Sequence, residues 1–549
     1  MRSLPQMPDY DYIVIGAGTA GCVLANRLSA RGAYRVLLLE AGGRDRSPWI
    51  RVPIGYGRTF NDRRYNWMYE AEPDAALGGR RQFWPRGKVL GGSSSINAMV
   101  FVRGQPADFD DWAAAGNPGW EWRDVLPYFR RLEDHPAGDP AYHGTGGPVR
   151  VSDVSAQVHP LCRTFLEACD SLGIARTADF NGAQPEGSGL WEVTIRNGLR
   201  VSAASAYLRP ALHRPNLALR IRARATRILF EDTRAVGVEY LESGERQTAR
   251  ARCEVIVSAG AINSPQLLEL SGVGDPALLR SCGIPLVVDA PAVGRGLQDH
   301  LAVSYFYRSR VPTLNDELAP FLGKVRAALR YALGGRRGPL SMSVNQAGAF
   351  LRSRPELTRP NMHIYFNPAS YSTTAWPRRR LLNPDPYPGF LMSFNTCRPT
   401  SRGTIHIRSN DPLAAPAIVP NSLATAADIA DVYEGARLLR RISAAAPLAA
   451  IIESEREPGE ALRTEEQLLA DFRARAGSVF HACGTCAMGP DRSHAVVDAR
   501  LRVHGVAGLR VVDTSIFPNI TSGNTNAATF MVAEKAADLI LQDSAGRQA

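Results

Sequence analysis

Lysine is nearly absent from this chain, and that scarcity shapes the interpretation of its strongly basic charge. Only Lys88, Lys324 and Lys535 occur among 64 basic residues, so arginine supplies most of a net charge of +11. The arginines are spread along the chain, and their longest runs are short, such as residues 378–380. A nucleic-acid-binding protein would gather basic residues into a patch or tail. We therefore expect no nucleic-acid partner and attribute the charge to an arginine-biased composition.

Long apolar runs and signs of secretion are also missing. The most apolar stretch, residues 13–24, is shorter than a membrane span and contains glycines. The N-terminal residues show no charged segment followed by an apolar one, so we expect no signal peptide. Eight cysteines in 549 residues do not form a disulfide framework. The sequence predicts a cytoplasmic protein whose contact with membranes is at most peripheral.

The N-terminal stretch from Tyr10 to Glu40 has the pattern of a strand, a glycine turn, a helix and a second strand. In its G-x-G-x-x-G turn, Gly16 permits the tight turn and Gly18 lets the backbone approach a pyrophosphate. Gly21 lets the helix pack closely on the strand. The helix N-terminus would hold the phosphates, and Glu40 would hold a ribose hydroxyl pair. The unit predicts a dinucleotide site without deciding between NAD and FAD; the alternative is a glycine-rich turn with no ligand.

The length of the chain predicts two or more domains. A second strand–turn–helix pattern over residues 253–270 should return the chain to the first sheet. The strand LRVVD at 509–513 should complete that sheet, before a last helix from about 525 to 541. Residues 301–396 alternate apolar and polar side chains and predict an antiparallel sheet. The fold class is α/β, or α+β overall: a Rossmann-like domain beside a second domain built on an antiparallel sheet.

Two segments after Glu40 are unusual. Residues 41–86 form a long irregular stretch rich in aromatics, which is either a packed surface loop or a cover over an active site. In the following stretch, Gly91 and Gly92 open a predicted helix, and Asn97 is expected one turn into it. Backbone N–H groups of this turn would contact a second polar part of the cofactor.

The segment FHACGTCAMG at 480–489 places a histidine beside two cysteines. His481 is a candidate acid–base group, because imidazole titrates near neutral pH; the alternative is a histidine with a structural role in a loop. Cys483 and Cys486 form a C-x-x-C, which would be a redox dithiol in a flavoprotein, although no thioredoxin-like pattern surrounds it. No second C-x-x-C lies nearby, so we expect no metal site.

Asn524 and Thr525 open the predicted last helix. Polar groups at a helix N-terminus stabilise negative charge, such as that of a reduced flavin. An ordinary N-cap uses the same geometry, and the two roles are compatible.

Nearly end to end, the chain resembles the glucose–methanol–choline (GMC) oxidoreductases. The resemblance rests on four motifs: GAGTAG at 16–21, GKVLGGSSSINAMVFVRG at 87–104, GAINSPQLLELSGVG at 260–274, and FHACGTCAMG together with DTSIFPNITSGNTNAATFMVAEK at 513–535. The segments FWPRGKVLGGSSSINAM and VGRGLQDH are most similar to the bacterial choline-dehydrogenase-like and alcohol-dehydrogenase branch. The family implies discontinuous domains: 9–305, mainly FAD-binding; 306–396, a substrate-binding or cap region; and 397–541, which contributes to the substrate domain and returns to the FAD domain.

The resemblance implies FAD rather than NAD, and oxidation of a primary alcohol to the aldehyde by hydride transfer to flavin N5. His481 matches the family's base, and Asn524 matches the position that fixes the substrate oxygen. Ile96 stands where some choline oxidases carry the histidine bonded to FAD, so we expect non-covalent FAD. Residues 97–100 match the stretch along the isoalloxazine, and Asp513 the aspartate near the ribityl diphosphate. The expected cofactor-binding residues are Gly16, Gly18, Thr19, Ala20, Gly21, Glu40, Ala41, Trp67, Val89, Gly92, Asn97, Ala98, Met99, Val100, Ala225, Asp513, Thr514, Asn524 and Thr525.

Several functions remain open at this point. The leading hypothesis is an FAD-dependent alcohol dehydrogenase or oxidase with a quinone, a carrier or oxygen as electron acceptor. The rivals are a non-redox or photochemical GMC member, of the hydroxynitrile lyase or fatty-acid photodecarboxylase type, and a thiol–disulfide flavoenzyme. A homodimer is compatible with all of them. A choline substrate would need an aromatic cage. Candidates for that cage are Trp67, Tyr69, Tyr365, Phe366 and Trp376.

Overall fold

Two seven-stranded sheets organise the described residues, 9–371 and 384–548, of the computed structural model. The arginine run at 378–380 and the cage candidate Trp376 lie outside the described residues. No helix in the described part of the chain is long and apolar enough to cross a membrane.

The first sheet is built around the strand Asp9–Ile15. This strand pairs in parallel with Val36–Glu40 on one side and with Glu245–Val257 on the other. Leu509–Val511 pairs in parallel with the end of Glu245–Val257, so the predicted returns of the chain to this sheet are confirmed. The central strands are buried on both faces, which explains their continuous apolar sequence. The remaining strands are Leu217–Ile221, Ala223–Glu231 and Arg234–Glu242.

Helix Thr19–Ser29, called the first helix below, begins directly after the first strand. Gly16 has a φ of +100°, and a Cβ on Gly21 would stand 1.8 Å from the Gly16 carbonyl oxygen. Only glycine permits this approach, as the G-x-G-x-x-G pattern predicts. The first helix packs against helix Thr525–Gln548, called the last helix below. The ends of the chain therefore meet beside the first sheet.

The second sheet is antiparallel, as the alternation over residues 301–396 predicts. Its central strands are Leu301–Ser309, Gly389–Thr396, Met362–Asn367 and Ala347–Leu351. Helices Leu161–Ser171, Ala426–Ala444 and Glu465–Arg475 contribute to the apolar cluster on this sheet. The predicted domain divisions after residues 305 and 396 stay predictions. The peripheral strands are Gly187–Leu190, Ile452–Glu457 and Gly477–Ser478.

Further helices and short strands connect the two sheets. The other helices are Pro48–Arg51, Tyr56–Thr59, Pro106–Ala114, Trp122–Leu132, Arg209–Ala211, Gly260–Leu270, Pro276–Ser281, Leu314–Leu318, Phe321–Leu333 and Ala446–Ala449. The short strands are Tyr69–Glu70, Phe83–Trp84, Glu133–Asp134, Val149–Arg150, Ile195–Arg196, Leu199–Arg200, Val273–Gly274, Val288–Asp289, Arg295–Leu297, Gly403–His406 and Ala417–Val419.

The prediction that Asn97 lies one turn into a helix is wrong. The chain forms only a 3₁₀ turn over Gly92–Ser95, and Asn97 follows it. The hydroxyls of Ser94 and Ser95 donate back to the carbonyl oxygens of Gly91 and Leu90. The Ser93 carbonyl accepts from the backbone N–H groups of both Ile96 and Asn97, and the helical pattern ends there.

A buried carboxylate fixes the last helix in place. Glu534 accepts hydrogen bonds from Arg27 of the first helix, at 2.7 Å, and from the Tyr207 hydroxyl, at 2.6 Å. Arg131 lies 2.8 Å from the other oxygen of the same carboxylate. One side chain thus joins three separate segments of the chain to the last helix.

We predict that Glu534→Ala lowers the free energy of unfolding by about 2–4 kcal/mol, because two arginines and a tyrosine lose their buried acceptor. The matched control is Asp538→Ala, one turn further on, whose exposed pair with Arg131 should contribute under about 1 kcal/mol. The shift of the urea unfolding midpoint measures both. Equal shifts in the two variants would contradict the prediction.

Candidate active site

A cavity of about 600 Å³ lies at the carboxyl ends of the parallel strands and extends to the second sheet. Ligands of open α/β sheets bind at this edge. All the predicted cofactor-binding residues line the cavity except Gly21 and Val89, which are buried behind its wall. His481 and Asn524 line the same cavity, so distant motifs of the chain meet in one space.

At one end of the cavity stands the N-terminus of the first helix. Gly18 is its N-cap, and no side chain caps the helix there. Thr19 and Ala20 line the cavity and are themselves buried. A buried helix end without a cap leaves N–H groups that need an acceptor, and its dipole favours an anion.

Glu40 ends its strand at the same place. Its two carboxylate oxygens accept hydrogen bonds from the backbone N–H groups of Ala17, at 2.9 Å, and Gly42, at 2.7 Å. Burial raises the pKa of Glu40 to about 7, against the lowering effect of these two bonds. Each oxygen keeps a further lone pair, so the carboxylate is held rigidly while it remains able to accept hydroxyl groups.

At the other end of the cavity, three side chains form a hydrogen-bonded chain. His300 Nε2 lies 2.9 Å from the carbonyl oxygen of Cys397, and His300 Nδ1 lies 2.9 Å from His481 Nδ1. Because a carbonyl only accepts, the proton of neutral His300 is on Nε2, and its Nδ1 is a bare acceptor. His481 therefore donates from Nδ1, which leaves its Nε2 bare and 3.0 Å from the Asn524 amide nitrogen.

The surroundings of His481 favour its neutral form. Burial lowers its pKa well below the usual value, and the neighbouring His300, His363 and Arg86 lower it further. The Asp299 carboxylate accepts from the backbone N–H of His481 at 2.7 Å. Burial raises the pKa of Asp299 to about 6. An uncharged imidazole with an unprotonated Nε2 toward Asn524 is the form that accepts a proton.

Sequence reasoning missed the groups that surround His481. Asp299 and His300 belong to VGRGLQDH, a segment used above only to assign the branch of the family. The Arg86 guanidinium donates to the Phe480 carbonyl oxygen at 2.6 Å, and its Nη2 has no hydrogen-bond partner among the described residues. In VGRGLQDH the polar residues Gln298, Asp299 and His300 follow one another, and this is the one sequence signal that would have indicated His300 as a site residue.

The long loop after Glu40 covers the cavity rather than merely packing on the surface. Tyr56, Phe60 and Trp67 of this loop line the cavity. Phe60 also contacts Phe480, with ring centroids 5.5 Å apart, next to His481. The loop therefore supplies an aromatic wall at the end of the cavity that contains His481.

Of the four described candidates for an aromatic cage, Trp67 and Tyr365 line the cavity, and Tyr69 and Phe366 do not. Trp67 and Tyr69 stack on each other with centroids 5.7 Å apart, and Lys88 and Arg224 lie over the Trp67 ring. Phe366 is buried in the core of the second sheet. Of the four described candidates, Tyr365 is the one that lies beside Asn524.

Cys483 and Cys486 are free thiols with no exposed surface. Burial raises the pKa of both. The nucleophilic thiolate is therefore disfavoured, and both side chains pack in the core under the first sheet. Their surroundings do not support a thiol–disulfide reaction.

The chain that forms this cavity is similar to a known protein family and to characterised relatives. Residues 10–302 and 399–533 match the N-terminal and C-terminal models of the GMC oxidoreductases. The chain is 42% identical over 538 residues to the alcohol dehydrogenase [acceptor] of Pseudomonas putida, covering 97% of this chain and 96% of that protein. It is 44% identical over 542 residues to human mitochondrial choline dehydrogenase, covering 97% and 90%.

Among solved structures, pyridoxine 4-oxidase from Mesorbium loti superposes with a TM-score of 0.87 at 31% identity, covering 96% of this chain and 98% of that one. A variant of the Aspergillus oryzae formate oxidase, studied for the modification of its FAD, superposes with a TM-score of 0.91 at 26% identity, covering 98% and 99%.

The burial of His300 leads to a prediction about how the stability of the protein depends on pH. Burial lowers the pKa of His300 to about 4, whereas an unfolded histidine has a pKa of about 6.5. Between these values the unfolded chain binds a proton that the folded chain does not, so His300 costs stability as the pH falls from about 6.5 to about 4. The full cost corresponds to about 3 kcal/mol.

We therefore expect His300→Gln to lose less stability than the unmodified protein over that pH range, measured as urea midpoints at each pH. The Asp299 carboxyl, with its pKa raised to about 6, gains a proton on folding and contributes with the opposite sign. It is present in both proteins, so the difference between their profiles reports the loss of His300 together with its effect on the pKa of His481 and His363. Parallel profiles would contradict the assignment.

Proposed function

The chain belongs to the GMC oxidoreductase family, and from that premise we propose that it oxidises a primary alcohol to the aldehyde with His481 as the base. It is an FAD-dependent oxidoreductase that acts on CH–OH groups. The observation that supports His481 is its fixed tautomer: a bare Nε2 beside Asn524 in the cavity.

Several features of the cavity fit FAD. The uncapped N-terminus of the first helix fits a pyrophosphate, and Glu40 fits the hydroxyls of a ribose. Asp513 is buried against the backbone N–H of Gly260 and the Ser264 hydroxyl, and lines the middle of the cavity. Ile96 offers no nucleophile for a covalent bond, so we propose non-covalent binding. When bound, FAD supplies the two-electron acceptor of the reaction.

His481 and Asn524 act together on the alcohol. A substrate hydroxyl placed between them donates to His481 Nε2 and accepts from the Asn524 amide. His481 takes the hydroxyl proton, while Asn524 stabilises the negative charge that develops on the oxygen. The Asn524 carbonyl oxygen has no hydrogen-bond partner among the described residues, so the amide retains a free acceptor in the buried site. Both groups are oriented before the substrate arrives, which lowers the entropic cost of the reaction.

His300 is a positioning residue in this scheme. The Cys397 carbonyl fixes its proton on Nε2, and its bare Nδ1 then holds the proton of His481 on Nδ1. After His481 has accepted the substrate proton, the same hydrogen bond shares the positive charge between the two rings. A single backbone carbonyl thereby determines which nitrogen of His481 serves as the base.

We propose that the substrate is an uncharged alcohol. Arg80, Arg86 and Arg475 line the cavity. The carboxylates that line it are Glu40 and Asp513, at the ends of parallel strands. Arg475 is paired with Asp471 and Glu457, so a quaternary ammonium near His481 would meet chiefly the positive charge of Arg86. Choline is the second candidate, because human choline dehydrogenase is similar over most of its length.

The electron acceptor belongs to the same proposal. The name of the Pseudomonas putida relative leaves the acceptor unspecified, and the names of the bacterial choline dehydrogenases give oxygen, so we propose a quinone, a protein carrier or oxygen. Comparing turnover of a short alcohol and of choline, each with a soluble dye and with oxygen, distinguishes these cases.

A cytoplasmic location is likewise proposed, since all eight cysteines are free thiols. A homodimer stays a prediction.

We predict that His481→Ala slows anaerobic bleaching of the flavin absorbance by alcohol about 10²- to 10⁴-fold, because the proton acceptor is lost. Asn524→Ala should slow it about 10²-fold. The control is His504→Asn, whose ring bonds the Gly489 carbonyl away from the cavity and whose loss should leave the rate unchanged. Near-normal bleaching by His481→Ala would refute the base assignment. A wild-type protein whose flavin no alcohol bleaches would favour the non-redox family members.

We predict that Glu40→Gln weakens FAD binding about tenfold or more, because the amide presents an N–H group to backbone donors and a ribose. Glu70→Gln, at an exposed position of the cavity loop, is the control. The ratio of FAD to protein after dialysis, read from absorbance, measures retention without any assay of activity. Unchanged retention in Glu40→Gln would contradict the role given to this carboxylate.

A further inference from the structure

Helix Phe321–Leu333, called the surface helix below, exposes large apolar side chains to solvent. Phe321 and Leu322 are each 77% exposed, Leu329 is 54% exposed and Leu333 is 83% exposed. With Val325, this one helix carries five of the ten exposed large apolar side chains found in the described part of the chain. Such a concentrated apolar surface marks an interaction site rather than ordinary surface variation.

The surface helix is apolar on two opposite sides. Its buried side is narrow, with Ala327 as the one residue that is fully buried. At about 100° per residue, Val325 and Leu329 project to the side opposite Ala327. Lys324 and Arg330 project to the two flanks between these sides. The outer apolar side is therefore bordered by cations, which is the pattern of a helix that lies in the plane of a membrane surface.

The surface helix and the residues that follow it carry only positive charges, whereas the exposed Asp316 and Glu317 lie just before it. From Phe321 to residue 337 there are five basic residues and no acidic one. All five, Lys324, Arg326, Arg330, Arg336 and Arg337, are exposed, and none has an ion-pair partner among the described residues.

A neighbouring groove continues this charge. The Tyr331 hydroxyl donates to the Gly198 carbonyl at 2.8 Å, which joins the surface helix to the hairpin Ile195–Arg200. Arg51, Arg196 and Arg336 line a groove beside that hairpin. Arginine guanidinium groups bind phosphate with two parallel hydrogen bonds. The surface helix therefore adjoins an arginine-rich groove, which also contains Asp45 and in which Arg196 is paired with Asp134.

The inner side of the surface helix reaches the active-site cavity. Ala327 packs in an apolar cluster with Tyr56, and Phe60 and Tyr371 pack against the same cluster. These three aromatic residues also line the cavity that contains His481. One layer of side chains separates the exposed helix from the reacting end of the cavity.

We propose that the surface helix docks the protein onto an anionic lipid bilayer, with its apolar side among the acyl chains and its flanking cations on the lipid phosphates. A second copy of the chain fits this face less well. In a symmetric dimer the same patch meets itself, so five unpaired cations of one copy would face five of the other. A negatively charged membrane satisfies both the apolar side and the cations, and the combination of two weak signals gives stable binding.

This docking goes beyond the proposed function and does not depend on it. It would place the aromatic wall of the cavity next to the bilayer. An apolar alcohol or an acceptor dissolved in the membrane would then reach the cavity without crossing water.

The test is sedimentation of the full-length, FAD-loaded protein with vesicles of phosphatidylcholine alone or with one third phosphatidylglycerol. The first variant is Leu322→Gln with Leu329→Gln on the surface helix. Its matched control is Leu286→Gln with Leu413→Gln, which removes two leucines that are 51% and 56% exposed elsewhere. A second variant, Arg326→Gln with Arg330→Gln, removes two flanking cations.

We expect the unmodified protein and the leucine control to bind the anionic vesicles, and binding to fall about tenfold or more in Leu322→Gln with Leu329→Gln. The arginine variant and added salt should weaken binding to anionic vesicles only. Turnover with a soluble dye should be unchanged in all variants, which separates this test from that of the proposed function. Absence of binding by the unmodified protein, equal loss in the control, or a dimer that the leucine variant dissociates in solution would overturn the proposal.

Discussion

The hydrogen bond between the Nδ1 atoms of His300 and His481 determines what the reacting end of the cavity is able to do. Two bare nitrogens would repel, and two protonated ones would clash, so exactly one ring has to donate. The Cys397 carbonyl decides which, because it accepts from the far side of His300. The fixed orientation of His481 then leaves its Nε2 as an acceptor beside Asn524, and the buried surroundings keep the ring uncharged.

Much of the fold was predictable because the central strands are buried on both faces. Tyr12–Ile15 and Val36–Leu39 are apolar throughout, and the glycine turn between them has one stereochemical purpose. The antiparallel sheet was predictable from alternation. The short 3₁₀ turn before Asn97 was not, because a pattern typical of a helix start does not show how many turns follow, nor that two serine hydroxyls bond back to the preceding carbonyls.

The candidate site likewise has residues that the sequence predicts and residues that it does not. His481, Asn524 and Glu40 lie in motifs whose residue types indicate the chemistry of each side chain. All three line one cavity. His300 stands 181 positions from its partner His481, so only the folded chain brings the rings together. The sequence could not select among the aromatic cage candidates for the converse reason: residues of the right type are placed by strand direction, and Phe366 faces the core of its sheet.

The last helix has a consequence for how the protein is made. Asn524, just before it, and Thr525, its first residue, line the cavity, and Glu534 ties it to Arg27 of the first helix, 507 positions earlier in the chain. The end of the cavity that contains His481 therefore stays incomplete until the start of the last helix has been translated. A chain released early, without its final segment, would have the glycine turn and much of the first sheet but no amide beside His481. It would also expose the apolar surface that the last helix covers, and cellular quality control would recognise that surface.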